Sequence, residues 1–209
     1  CVSESDLCFM TGSMGISPNR VSRIVNSIET NLFLPGPYKR RLISYMPRKN
    51  KTDSQIVCAF LQSQEWFEGW SLKPLVDLRL EEVAASLKES LIFLAFGHPE
   101  GFGLPLAEAA ACGCELIGYS GIGGREIFKL ASKFGVGSEV PYGDWHGFIS
   151  AIRDFVTRFD SETKSVTDNL YRTSTLMRKQ YSSISMQDSI KNAMEEWHNA
   201  INSGKTNLT

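Results

Sequence analysis

The spacing of apolar and polar positions divides most of the chain into short strands alternating with amphipathic helices. The clearest strand signal is Ser90-Leu91-Ile92-Phe93-Leu94-Ala95, an unbroken apolar run of strand length. A parallel strand covered on both faces reads this way. Just before it, Leu80, Val83, Ala84 and Leu87 fall on one face of a helix over Leu80 to Glu89. Arg41 to Met46 and Glu115 to Tyr119 read as further strands, Trp66 to Leu75 as a turn and strand region, and Gly137 to Pro141 as a final edge strand. Ile56, Val57, Phe60 and Leu61 give a helical period to Ser54 to Ser63. Pro105 to Cys112, Arg125 to Phe134 and His146 to Arg158 read as helices, and Ser165 to Trp197 as polar helix in one or two pieces. Strands alternating with helices predict an α/β fold, a doubly wound parallel sheet of Rossmann-like type. Ligands of such sheets bind beyond the carboxyl ends of the strands.

The ends of the chain differ from this middle. Val21 to Val25 has the composition of a short strand, and Pro35-Gly36-Pro37 fits neither a helix interior nor a central strand, so it reads as a linker. The expected organisation is an interdomain segment over residues 1–38, a ligand-binding domain over 39–160 and terminal helices over 161–209, the last residues from 202 onward frayed. The chain begins at Cys1, which suggests a piece of a longer protein with a preceding domain.

Charge and cysteine content narrow the chemistry. With 22 Lys+Arg against 23 Asp+Glu, the chain is not a general nucleic-acid binder, though a local basic site for a small anion fits. The five cysteines (Cys1, Cys8, Cys58, Cys112, Cys114) are an odd number, and Cys112-Gly113-Cys114 is too tight for the usual zinc spacing. They read as reduced, small, buried residues of a cytoplasmic protein, with no metal expected. There is no signal peptide and no apolar run of about 18 residues.

The most informative stretch runs from Phe96 to Gly113, after a strand and into a helix. Pro105 suits a first helical turn. The free amides near Gly101, Phe102, Gly103 and Leu104, with the helix dipole, would form an anion site to which Gly101 and Gly103 admit close approach. Glu100 and Glu108 beside such a site suit a ligand that also carries hydroxyls, since a carboxylate accepts two of them. Phosphate with polyhydroxy groups describes a nucleotide sugar. The helix dipole alone also favours a glutamate in a first turn, and glycine-rich loops before helices are common, so the loop by itself leaves a purely structural role open. Tyr45, ending the first strand with Ser44, Met46 and Pro47, is placed to line a nucleotide pocket. His98 reads as loop-shaping or ligand-contacting, and Trp66 and Trp70 as packing residues or a base-stacking surface.

Glu100-Gly101-Phe102-Gly103-Leu104-Pro105-Leu106-Ala107-Glu108 and the following Ala109 to Gly113 resemble the E-x7-E motif of retaining GT-B glycosyltransferases, especially the family 4 type. Arg20 to Glu29, with Phe33 and Pro35, resembles that family's interdomain segment. Leu116-Ile117-Gly118, followed by Gly123-Gly124-Arg125-Glu126, resembles its next strand and Gly-Gly-x-Glu loop; the likeness spans roughly residues 15 to 155. The resemblance implies the donor-binding, C-terminal half of a GT-B fold. The activity would be hexosyl transfer, with retention, from a nucleoside-diphosphate sugar to an acceptor glycan, a glycolipid precursor or a lipid-linked sugar of polysaccharide biosynthesis. It implies that Glu100 approaches the donor sugar and that Glu108 binds the ribose. The backbone of Gly101, Phe102, Gly103 and Leu104 would hold sugar hydroxyls and phosphate. Arg48 would face the diphosphate, with Lys49 or Lys51 as second cation, although the usual spacing to that lysine is longer. Glu100 and Arg48 would carry catalysis by stabilising charge separation, helix ends and cations taking the part of a metal, so no cofactor is expected. Glu115 stands where the family usually has proline. The acceptor-binding domain would lie outside these residues, with peripheral membrane association through it, and the terminal helices would pack back toward it. The residues in hand would bind donor weakly and turn over little. A non-catalytic sugar-nucleotide-binding module and a GT-B-like nucleotide-sugar epimerase are the alternatives.

Overall fold

The apolar run lies at the middle of a five-stranded parallel sheet as β3 (Ser90–Phe96), buried along its whole length. The computed structural model describes residues 1–202; the expected frayed end beyond Asn202 lies outside the described residues. The sheet comprises β1 (Arg40–Tyr45), β2 (Ser71–Pro74), β3, β4 (Glu115–Tyr119) and β5 (Ser138–Glu139), in the order β2-β1-β3-β4-β5. All pairings are parallel. The chain therefore leaves β1 toward β2 at one edge and returns to the other side of β1 with β3. That reversal opens a crevice between the carboxyl ends of β1 and β3.

The helices are α1 (Glu4–Cys8), α2 (Lys51–Gln62), α3 (Leu80–Glu89), α4 (Leu104–Ala111), α5 (Arg125–Ala131), α6 (Trp145–Ser161), α7 (Thr163–Gln180) and α8 (Ser183–Asn202). α4 packs against α3, α5 and α7, α7 also against α5 and α6, and α2 against α6. The small side chains Ala107, Ala109, Ala110 and Ala111 are fully buried, which lets α4 sit close to its neighbours; Ser174 Oγ of α7 donates to Ala111 O at its end.

Several boundaries depart from the pattern-based expectation. α2 begins at Lys51, not Ser54, because the Asn50 side chain caps it by accepting from the Asp53 N–H. Its buried face is Ser54, Val57, Cys58 and Leu61, while Phe60 and, on α3, Leu80 are exposed. α4 begins at Leu104 with Pro105 in its first turn, and α5 stops at Ala131 before a 3-10 turn. The polar C-terminal helix is two helices, broken at Tyr181-Ser182. The edge strand shortens to Ser138–Glu139, since Pro141 has no N–H for a ladder. Residues 21–25 are extended but join no sheet: Ile24 N–H donates to Cys1 O and Val25 N–H to Ser189 Oγ of α8. All cysteines are free; Cys58, Cys112 and Cys114 are buried as expected, whereas Cys8 is exposed. Trp70 is buried against Phe159, with the Arg41 guanidinium over its ring.

Residues 1–38 are bound to the domain by specific contacts. The buried carboxylate of Glu126 accepts from Arg23 Nη2 at 2.5 Å, from the Glu4 N–H at 2.7 Å and from Tyr181 Oη at 3.1 Å. Ile28 N–H donates to Tyr181 O, and Phe33 is fully buried. Among the described residues no helix is long and apolar enough to cross a membrane.

Candidate functional site

The crevice between β1 and β3 is where the chemistry-bearing residues gather. After β1 the chain turns through a 3-10 segment, Pro47–Lys49, into the N-terminus of α2. Three cations, Arg48, Lys49 and Lys51, surround that end of the helix. The placement is unfavourable by itself: the helix dipole disfavours cations at an N-terminus, typically by about 0.3–1 kcal/mol each. An anion bound among them would offset both the dipole and their mutual repulsion. Arg48 and Lys51 form no ion pair among the described residues, whereas Lys49 Nζ donates to Glu100 Oε2 across the crevice.

After β3, the loop Gly97 to Gly103 is held by backbone bonds to the loop after β4. Gly97 N–H donates to Tyr119 O, Glu100 N–H to Gly121 O at 2.9 Å, and Gly123 N–H to Glu100 O at 3.1 Å. A side chain on Gly123 would run into the backbone of Glu100 and Gly101, so this lacing requires glycine there. Gly103 caps α4 from the left-handed region, at φ 92, which glycine alone adopts without strain. The amides of Gly101, Phe102, Gly103 and Leu104 have no hydrogen-bond acceptor among the described residues. Of these four residues only Gly103 lines the cavity over the ends of β1 and β3, while Gly101 lies beside Val2 and Asp6 of the N-terminal segment and Phe102 is buried. The Phe102 side chain turns the other way and packs edge-on against Tyr181 at 5.1 Å, anchoring the loop to the end of α7.

Two adjoining cavities share Met46 and Arg48. The smaller, about 60 Å³, lies over the ends of β1 and β3 and is lined by Arg48, Lys49, Glu100, Gly97, Gly103 and Tyr119 among others. The larger, about 690 Å³, is walled by Tyr45, Lys51, Gln55 and the loop after β2 that carries Val76, Asp77 and Leu78. Sites for small organic ligands commonly have roughly 300–1,000 Å³, so the larger cavity falls within that range and the smaller well below it.

The structure thus brings Arg48, Lys49, Glu100 and Gly103 to one cavity, and Tyr45, Arg48 and Lys51 to the next. Glu108 lies further along α4, half-buried and outside both linings, and its carboxylate has no hydrogen-bond partner among the described residues. Burial pushes its carboxyl up to about 7. Burial likewise raises the Tyr45 phenol to about 12, aided by its hydrogen bond with Cys58. His98 is exposed and lines, with Tyr142, a third depression of about 420 Å³ that adjoins the smaller cavity at Gly97 and Tyr119. Trp66 packs against the core and lines neither cavity. Glu115 is buried, accepting from the Gly137 N–H at 2.8 Å beside Arg158, and supports the β4–β5 edge. No cluster of three or more His, Cys, Asp or Glu side chains suited to a metal occurs among the described residues.

Sequence reasoning gave no role to Tyr119, which closes the back of the smaller cavity from the end of β4. Its position at a strand's carboxyl end was the available signal. The pairing of Lys49 with Glu100 also went unseen, because it depends on β1 and β3 being neighbours.

No protein-family pattern matches the chain. An alpha-1,6-glucosyltransferase of Actinobacillus pleuropneumoniae serotype 7 (strain AP76) is 31% identical over 101 residues, covering 47% of this chain and 31% of that protein. Among solved structures, a glycosyltransferase from Rickettsia africae ESF-5 superposes with TM-score 0.68 at 11% identity, over 95% of this chain and 63% of the other. Sucrose-phosphate synthase from Thermosynechococcus elongatus gives TM-score 0.68 at 14% identity, over 95% and 58%. The C-terminal domain of a glycosyl transferase group 1 family protein from Francisella tularensis gives 0.53 at 18% identity, over 76% and 96%. The chain has the α/β fold of GT-B glycosyltransferase domains. It spans less than a third of the length of the curated relative and less than two thirds of the first two structures.

Proposed function

We propose that this chain is the donor-binding part of a glycosyltransferase, taking a nucleoside-diphosphate sugar at the crevice between β1 and β3. The observation that supports this reading is that Arg48, which has no ion-pair partner among the described residues, Lys49, Gly103 and the Glu100 carboxylate line one cavity at the crevice. In this reading the nucleoside occupies the larger cavity, with Tyr45 and Lys51 in its wall. The diphosphate crosses at Arg48, where the cavities meet, and the sugar lies against Glu100 and the amides before α4. Arg48 and the amides would stabilise negative charge gathering on the leaving diphosphate, and Glu100 the positive charge on the sugar ring. Glu108 would take the ribose after moving toward the cavity wall. The glucosyltransferase name of the 31%-identical relative supports a hexose, and the resemblance of Glu100 to Glu108 to the E-x7-E motif supports transfer with retention. The acceptor, a glycan or lipid-linked sugar, would be presented by a second domain, and the reaction would run in the cytoplasm. The residues described here would bind donor with little turnover by themselves.

Calorimetry with uridine and guanosine diphosphates and their hexose conjugates tests the reading. One nucleotide should bind, and Arg48→Ala should weaken it by about ten- to a hundred-fold, the loss of a charge-assisted hydrogen bond of about 1.5–3 kcal/mol. Equal affinity in the variant, or no binding of any nucleotide, would refute it.

A further inference from the structure

Of the cations around the start of α2, only Lys49 has an acidic partner among the described residues, and that partner is Glu100. The pair spans the crevice from the β1 side to the β3 side, over the smaller cavity. Its side chains are 33% and 22% exposed, so it is a clamp that water and salt weaken and a competing anion can open. The Glu100 backbone is fixed on both sides by Gly121 O and the Gly123 N–H, so only the side chain is free to respond.

We propose that Lys49 is a positioning residue that couples the two ends of the donor: in the unliganded protein it holds Glu100, and a bound diphosphate draws it away and releases Glu100 to accept sugar hydroxyls. This rests on the donor-site reading above. A diphosphate carries more charge than one carboxylate and is already attracted by Arg48 and Lys51, so it competes well for the ammonium. Sugar hydroxyls are neutral and cannot displace Lys49 by themselves. A free sugar therefore meets an occupied carboxylate, whereas a sugar attached to a diphosphate meets a released one. The price of this selectivity is that the ion pair opposes diphosphate binding.

A double-mutant cycle on the 209-residue chain tests the coupling, read by calorimetry with uridine and guanosine diphosphates, which carry no sugar. Glu100→Gln frees Lys49, so the nucleotide that binds should bind roughly five-fold tighter than to the wild type. In a Lys49→Met background the same change should alter affinity by at most about two-fold, the remainder being general charge repulsion. With the matching sugar nucleotide the gain should shrink, because the carboxylate's contact with the sugar is lost. A weaker nucleotide in Glu100→Gln, or an equal gain in both backgrounds, overturns the role of Lys49 and leaves the donor site standing. Failure of the wild type to bind either diphosphate overturns the donor-site reading and the coupling together. Matched thermal melts confirm that each variant is folded.

Discussion

Glu108 is the residue whose environment most directly predicts a measurable property. Its carboxyl sits near 7 in the fold because burial disfavours the charge, against 4.5 for an unperturbed glutamate. Between those two values the unfolded chain binds fewer protons than the folded one, so stability falls as pH rises through that window and levels off above it. Glu115 acts in the same direction, since its burial outweighs the Gly137 amide and Arg158 and leaves it at about 7. Urea unfolding at pH 5 and pH 8 should show the wild type losing stability at the higher pH. Glu108→Gln should lose distinctly less, because only Glu115 then contributes. An unchanged difference in the variant would contradict the assignment.

At the scale of elements, Glu126 ties together parts of the chain that are far apart in sequence. It joins Glu4 and Arg23 of the N-terminal segment to α5 and to Tyr181 at the end of α7, and Tyr181 in turn supports Phe102 of the candidate site loop. Glu126→Ala would leave three donors without this acceptor, Arg23 keeping Glu4 at 3.8 Å, a loss of about 1–3 kcal/mol. Hydrogen exchange should accelerate at Glu4 and Ile28, while the amides of β3 and β4 stay protected. Uniform loss of protection would mean that the segment is instead integral to the core. This arrangement was not legible in the sequence, where Glu126 appeared only as part of a Gly-Gly-Arg-Glu loop. Polar partners distant in sequence leave no periodic trace. By contrast, α3 over Leu80–Glu89 and β4 over Glu115–Tyr119 were bounded correctly, because burial on one face or on both writes itself into the spacing of apolar residues. The strand expected at Val21 to Val25 failed for the complementary reason: its composition suited a strand, but no sheet edge lies beside it.

For the whole molecule, the order of strands decides what the local motifs can do together. Lys49 and Glu100 belong to loops on successive neighbours in the sheet, β1 and β3, and the reversal of strand order between them opens the crevice they share. Periodicity showed each loop; only topology put them face to face. The same fold recurs at 11–18% identity in the superposed structures, as expected where a pattern of buried positions, more than particular side chains, specifies the architecture. The central claim is that this crevice grips the diphosphate of a nucleotide sugar. It is tested most directly by following backbone amide resonances of the 209-residue chain during titration with uridine and guanosine diphosphates. The account predicts saturable shifts for one of them, concentrated at Arg48 to Lys51, Gly97 and Gly101 to Leu104. Shifts confined to other surfaces, or none at millimolar nucleotide, would contradict it.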